Sequence, residues 1–147
     1  MLCFIVNEHS RSGKGAKIWK EAEAVLKKKN IAYESYVTQY EGHAFSLAHD
    51  ICECGADDIQ LVVVGGDGTA NEVINGMTHF EKVRFGVIPT GSGNDLARGL
   101  SLSKDPKNGA IHILNAMKKS REDTWCMDLG EVNFGENEER FEMVHYV

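Results

Sequence analysis

A three-layer α/β fold around a mostly parallel sheet is predicted by three observations. Short apolar runs alternate along the chain with stretches whose apolar residues recur at helical spacing. The runs end in glycine-rich or polar turns of the kind that lead from a strand into a helix. Past about residue 122 this regime gives way to a hairpin-like pattern.

The elements follow in order. Met1 to Val6 is a first buried strand; it meets Asn7 and Glu8 at once and has no basic leader, which argues against a secretory signal. After the turn Ser10-Arg11-Ser12-Gly13-Lys14-Gly15, residues Ile18, Ala22, Val25 and Leu26 mark a helix. Tyr33 to Val37 alternates as a short strand. Ala44, Leu47, Ala48, Ile51 and Cys52 form a second helical stripe, closed by Gly55 as a left-handed terminator. Leu61 to Val64 is the third strand and runs into Gly65-Gly66-Asp67-Gly68-Thr69, after which Ala70, Val73, Ile74 and Met77 predict a helix. Val83 to Ile88, the fourth strand, ends in Pro89-Thr90-Gly91-Ser92-Gly93-Asn94-Asp95. Leu96, Ala97 and Leu100 begin another helix with Asn94 or Asp95 as its N-cap. Beyond Pro106, residues Ala110, Ile113, Leu114 and Met117 predict one more. Trp125 to Val132 and Arg140 to Val147 read as strands around a turn at Asn133 to Asn137, and the second stops in mid-pattern, so truncation is expected. Its open edge invites pairing with a second copy, which makes a homo-oligomer an expectation.

Bulk properties narrow the function. With 147 residues, 42% hydrophobic and 26% charged, the chain can hold one domain with a sizeable core. No apolar run approaches the ~20 residues of a membrane span. A net charge of −6 argues against nucleic acid as partner. The four cysteines are scattered without a disulfide framework, which points to a reducing cytoplasm.

In a parallel sheet every loop that follows a strand lies at the carboxyl edge, where ligands bind. The segments Asn7 to Gly15, Thr38 to His43, Gly65 to Thr69 and Pro89 to Asp95 are therefore expected to converge on one crevice. Glycines allow close backbone approach, and the first amides of a helix point outward with partial positive charge, so the loop at Gly65 to Thr69 suits phosphate. Asp67 repels phosphate unless a cation or a donor hydroxyl stands between them, which suggests phosphate chemistry with a metal or an acceptor alcohol. Other motifs carry less. Ser12-Gly13-Lys14 lacks the upstream glycine and the following hydroxyl of a Walker A loop, and the dinucleotide fingerprint is absent. His49, Cys52 and Cys54 read as core and surface rather than ligands. His43 reads first as a structural or capping residue and second as a ligand contact. Lys27-Lys28-Lys29 reads as a solvated helix end, with contact to an anionic bilayer as the alternative.

Gly65-Gly66-Asp67-Gly68-Thr69 with Asn71-Glu72-Val73 and Asn75-Gly76, and then Pro89 to Arg98, resemble the two signatures of the diacylglycerol kinase catalytic domain family, which includes sphingosine kinases. Asn7 to Gly15 resembles its first-strand loop, and Thr38 with Gly42-His43-Ala44 its second. The resemblance covers the chain up to Arg121. It implies an α/β domain related to NAD kinases and phosphofructokinases at 1-122, with the first hairpin of an incomplete β-rich second domain at 123-147. It further implies transfer of the γ-phosphoryl group of ATP, with Mg2+, to a lipid hydroxyl, diacylglycerol first. The expected setting is the cytoplasm with peripheral contact at the membrane surface, where the lipid lies. Carried over by position, Asn7, Ser10, Arg11 and Thr38 surround the nucleotide, and Gly65, Gly66, Asp67, Gly68, Thr69 and Asn71 hold its phosphates. Glu72 orients that network or reaches toward the ribose or metal, Ser92 faces it, and Asp67 is the catalytic candidate, acting through metal or on the acceptor. The family has Pro and Gly where this chain has Glu8 and Arg11, and commonly Thr at Ser92. Its general base and a structural Mg2+ site lie in the second domain, so the resemblance assigns neither to a residue here. An NAD kinase-like phosphotransferase and a non-catalytic nucleotide-binding fragment are the alternatives.

Overall fold

The computed structural model describes residues 1–117, 119, 127, 129–132 and 143–146. Four strands, β1 (Leu2–Val6), β2 (Glu34–Val37), β3 (Ile59–Gly65) and β4 (Val83–Pro89), form one sheet in the order β2-β1-β3-β4. All three pairings are parallel. Between them run α1 (Ser10–Lys28), α2 (His43–Cys52) and α3 (Asp67–Gly76), and after β4 come α4 (Asp95–Gly99) and α5 (Pro106–Met117). The predicted α/β architecture is the observed one.

Strand alternation distributes two cores. Cys3, Ile5, Leu61 and Val63 point to one face, where Ala44, Ala48 and Ile51 of α2 and Val73 and Ile74 of α3 cover them. Phe4, Val6, Val62 and Val64 point to the other, under Trp19, Ala22 and Leu26 of α1 and Ala110, Ile113 and Leu114 of α5. Burial on both faces explains why β1 and β3 read as continuous apolar runs instead of alternating ones. Tyr33 lies just outside β2 and stands edge-on to Phe4 and Trp19, at 5.8 and 6.0 Å between ring centroids. Burial, together with the hydrogen bond its hydroxyl donates to Glu23 at 2.7 Å, pushes its pKa up to about 12.

The turn expected after β1 is largely kept, whereas one helix starts earlier than expected. Within α1, Arg11, Ser12 and Gly13 take left-handed conformations, with φ of 49°, 58° and 87°. The regular helix thus begins at Lys14, and Ser10 to Gly13 remains a loop folded over the end of β1. In contrast, α3 starts at Asp67, earlier than the apolar spacing from Ala70 shows, because Asp67-Gly68 offers no apolar residue to reveal its first turn. Gly55 has φ 83°, as its expected role requires, though the helix cap itself is Glu53.

Strands β5 (Leu129–Val132) and β6 (Met143–Tyr146) pair antiparallel in a separate two-stranded sheet. Leu129 packs against the core beneath α2 and α3. The turn expected at Asn133 to Asn137 lies outside the described residues, as do Trp125 and Cys126. Cys3 and Cys52 are buried free thiols and Cys54 an exposed one. Among the described residues no helix is long and apolar enough to cross a membrane.

Candidate active site

The strand order reverses direction between β1 and β3, since the chain goes outward from β1 to β2 and then returns to β1's other side for β3. Such a switch point leaves a crevice at the carboxyl ends. An open cleft of about 450 Å³ lies there, lined by the loops after β1, β3 and β4. From the first come Asn7, Ser10 and Arg11, from the second Gly66 to Thr69 with Glu72, and from the third Gly91, Ser92 and Gly93.

Polar contacts beneath the cleft tie these three loops together. Asn7 Nδ2 donates to Thr69 Oγ1 at 3.0 Å, joining the first loop to the second. The Ser10 hydroxyl is 2.8 Å from the Asn7 carbonyl and 2.5 Å from Thr90 Oγ1, joining the first to the third. The Leu96 amide donates to Asp67 Oδ1 at 3.3 Å, joining the third to the second. Asp67 therefore caps the start of α4 from another loop. Of the two expected N-caps, Asn94 and Asp95, Asn94 takes the position but makes no capping bond with its side chain; it has φ 53° and its Nδ2 donates back to the Gly91 carbonyl at 2.8 Å. Asp67 has taken the amide that Asn94 would cap.

Glycine at two positions lets the walls meet. A Cβ on Gly66 would sit 3.2 Å from the Gly91 Cα, and one on Gly91 would sit 2.9 Å from the Gly66 Cα. Backbone thus faces backbone across the floor. Above it, the amides of Asp67, Gly68 and Thr69 precede the first intrahelical bond, from Ala70 N to Gly66 O at 3.0 Å, so they have no helical acceptor.

Three of the expected residues stand apart from the cleft lining. Thr38 is buried, and its amide and hydroxyl turn back to the Val6 carbonyl at 2.9 and 3.5 Å. The reason is topological: β2 is the sheet edge, so its loop lies beyond β1 from the switch point. Three loops make the lining, and the predicted fourth does not join them. Gly65 ends β3 beneath Thr69, where a Cβ would come 2.7 Å from the Thr69 Cβ. Asn71 lies past the first turn of α3, its Oδ1 accepting from Asn75 Nδ2 at 3.2 Å. Two residues outside the expected set, Gly91 and Gly93, line the cleft. Their place in the Pro89 to Asp95 turn was the available signal. His43 stacks on exposed Tyr40 at 4.5 Å and accepts the Gln39 amide at 3.0 Å, a structural role within its own loop.

The donor set fits a polyphosphate: unclaimed helix amides, glycine backbone, the Thr69 and Ser92 hydroxyls, and the Arg11 guanidinium. Asn94 Oδ1, buried with no partner, leaves one acceptor at the cleft base unsatisfied. Asp67 and Glu72 line the same cleft. No cluster of three metal-ligating side chains occurs among the described residues. Two carboxylates nevertheless suffice for Mg2+ beside a nucleotide, because that ion takes its remaining ligands from phosphate and water.

A comparison of the whole chain with protein families decides its relationship. The diacylglycerol kinase catalytic domain matches residues 1–127. The chain belongs to that family. Among curated relatives, the Bacillus subtilis protein YtlR, provisionally named a lipid kinase, is 34% identical over 133 residues, covering 89% of this chain and 41% of its own length. A diacylglycerol kinase of the same organism is 32% identical over 126 residues, covering 81% of this chain and 39% of its own. The chain thus spans about two fifths of the length of these relatives. A crystal structure of a diacylglycerol kinase from Bacillus anthracis superposes with a TM-score of 0.65 over 78% of this chain and 42% of that one, at 24% identity, which shows a shared fold. Within the diacylglycerol kinase family setting, the glycine loop and the Pro89 to Asp95 turn are the two walls that meet at Gly66 and Gly91.

Proposed function

We propose that this chain is the nucleotide-binding part of an ATP-dependent lipid kinase, with diacylglycerol as the first-choice acceptor. One observation carries the reading beyond family membership: the backbone-to-backbone meeting of Gly66 and Gly91 under a helix N-terminus whose first amides are unclaimed. Phosphoryl transfer depends on positioning and charge stabilisation rather than covalent help, and that is what such a cradle supplies. Bound with Mg2+, ATP supplies the transferable group. The α3 amides and the Thr69 hydroxyl would hold phosphate oxygens, Ser10 would brace the loop beneath them through the Asn7 carbonyl, and Arg11 would balance their charge. Asp67 and Glu72 would hold the cation. The general base is proposed to lie in the part of the relatives' length that this chain does not span.

Calorimetry of this chain with ATP and Mg2+ tests the nucleotide half of the reading, and a radiolabelled phosphate transfer screen over diacylglycerol, a sphingoid base and NAD, run on a form extended to the relatives' length, tests the acceptor. Saturable ATP binding with label entering diacylglycerol supports it. Label entering NAD alone overturns the lipid acceptor, ATP binding without any transfer by the extended form overturns the kinase reading, and no binding overturns the site. The same calorimetry reads Arg11. Its left-handed φ of 49° suits glycine better than arginine. Arg11→Gly is therefore expected to weaken ATP binding by about tenfold through the lost charged contact, with no fall in melting temperature.

A further inference from the structure

Thr90 is 1% exposed and stands outside the cleft lining, yet it holds two of the groups beneath the cleft. Its amide donates to the Gly65 carbonyl at 2.9 Å, and its hydroxyl meets Ser10 Oγ at 2.5 Å. Proton counting fixes the direction of the second contact. A hydroxyl has one proton, and that of Ser10 goes to the Asn7 carbonyl at 2.8 Å, since a carbonyl only accepts. Thr90 is therefore the donor to Ser10. The Asn7 backbone that Ser10 holds is fixed further by its own amide, which donates to the Val64 carbonyl at 2.9 Å. From this anchored residue Nδ2 donates to Thr69 Oγ1 at 3.0 Å. A carboxamide nitrogen does not accept, so the Thr69 proton points away from Asn7. Thr69 is 8% exposed and lines the cleft, and its proton meets no acceptor among the described residues.

We propose that Thr90 is a positioning residue whose hydroxyl, through Ser10 and Asn7, keeps the Thr69 hydroxyl turned as a donor toward a phosphate oxygen of the nucleotide. The inference deepens the nucleotide-binding reading and rests on it. A free hydroxyl donates, accepts and swings among rotamers. That of Thr69 is confined beside by Asn7 and below by Gly65, where a Cβ would come 2.7 Å from the Thr69 Cβ and 2.9 Å from its Oγ1. Thr90 bears on both sides of this seat, on Gly65 with its amide and on Asn7 by way of Ser10. With one lone pair of Thr69 occupied by Asn7, what is left for the cleft is an O–H, which suits an oxygen-rich anion. A donor set in direction before the ligand arrives gives up no orientational freedom when it binds. Valine at position 90 would fill the same volume and keep the amide, but would lay a methyl group against Ser10 Oγ and leave that oxygen without its donor.

Calorimetry of this chain and its variants with ATP and Mg2+, with thermal melting beside it, is the test. Thr69→Val is expected to bind about tenfold more weakly, the effect of losing one donor to a charged acceptor. Thr90→Val is expected to bind about fivefold more weakly, and Thr90→Ser, which keeps the donor, to recover the affinity. The double variant carries the decision. Because Thr90 acts through Thr69, Thr69→Val with Thr90→Val is expected to lose about tenfold, no more than Thr69→Val alone, whereas independent effects would multiply to about fiftyfold. A multiplied loss overturns the proposal, as does parental affinity in Thr90→Val, even with a lowered melting temperature, since Thr90 would then serve packing alone. Should circular dichroism show Thr90→Val unfolded, Ser10→Ala takes its place in both measurements, with the same expected loss of about fivefold, because it removes the next link. Absence of ATP binding by the parent overturns the nucleotide reading and this proposal together, whereas parental binding undiminished in the Thr90 and Ser10 variants overturns this one alone.

Discussion

Asp67→Asn, in a form extended to the relatives' length, is expected to lower phosphoryl transfer by on the order of a hundredfold and to leave the melting temperature nearly unchanged, as follows from removing one preorganised charge from a transfer site. The two outcomes separate because Asp67 caps α4 in addition to the cation-holding role proposed for it. Its Oδ1 accepts the Leu96 amide, and an asparagine oxygen in the same place still accepts it. What the substitution removes is the negative charge that a cation beside phosphate requires. Asp67→Ala, by contrast, loses the acceptor as well and should cost about 1 kcal/mol of stability, the usual worth of a helix cap. Paired transfer assays and thermal melts on both variants check the assignment. Transfer at the parental rate by Asp67→Asn would remove Asp67 from the chemistry and leave it a cap.

The second large effect concerns stability alone. Gly76 ends α3 where it crosses α2, and a Cβ there would lie 2.1 Å from the Phe45 carbonyl oxygen and 2.9 Å from the Phe45 Cα. The obstacle is backbone, so no rotamer change relieves it. Gly76→Ala must push α2 and α3 apart, and with them the core of Ala44, Ala48, Val73 and Ile74. A loss of about 3 kcal/mol is expected, at the upper end of overpacking costs. Urea denaturation read by circular dichroism measures it, and a loss within about 0.5 kcal/mol, the range of a neutral surface change, would show that the helices separate freely.

These residues also mark how far the chain is legible before it is folded. The strands declared themselves because burial on both faces leaves only apolar residues. The glycine loop declared itself because a run of glycines flanked by strand and helix patterns has few other uses. Thr38 was beyond reach, since its exclusion from the cleft depends on β2 being the sheet edge, and strand order is written in no local pattern. The second duty of Asp67 was hidden for a similar reason. Its partner, Leu96, is 29 residues away and offers a backbone amide, a group every residue but proline has. Asn94 in turn looked like a cap by residue type, and lost that place to a carboxylate arriving from another loop.

The three tethers among the loops, Asn7 to Thr69, Ser10 to Thr90, and Asp67 to Leu96, form a closed ring with no loop anchored by itself. Substitutions in one loop will consequently be epistatic with those in the other two. A chimera that imports the Pro89 to Asp95 turn from a relative without the matching Ser10 and Asp67 would inherit broken joints. The ring is thus the smallest exchangeable module of this cleft, and transplanting specificity between family members means moving its three loops together.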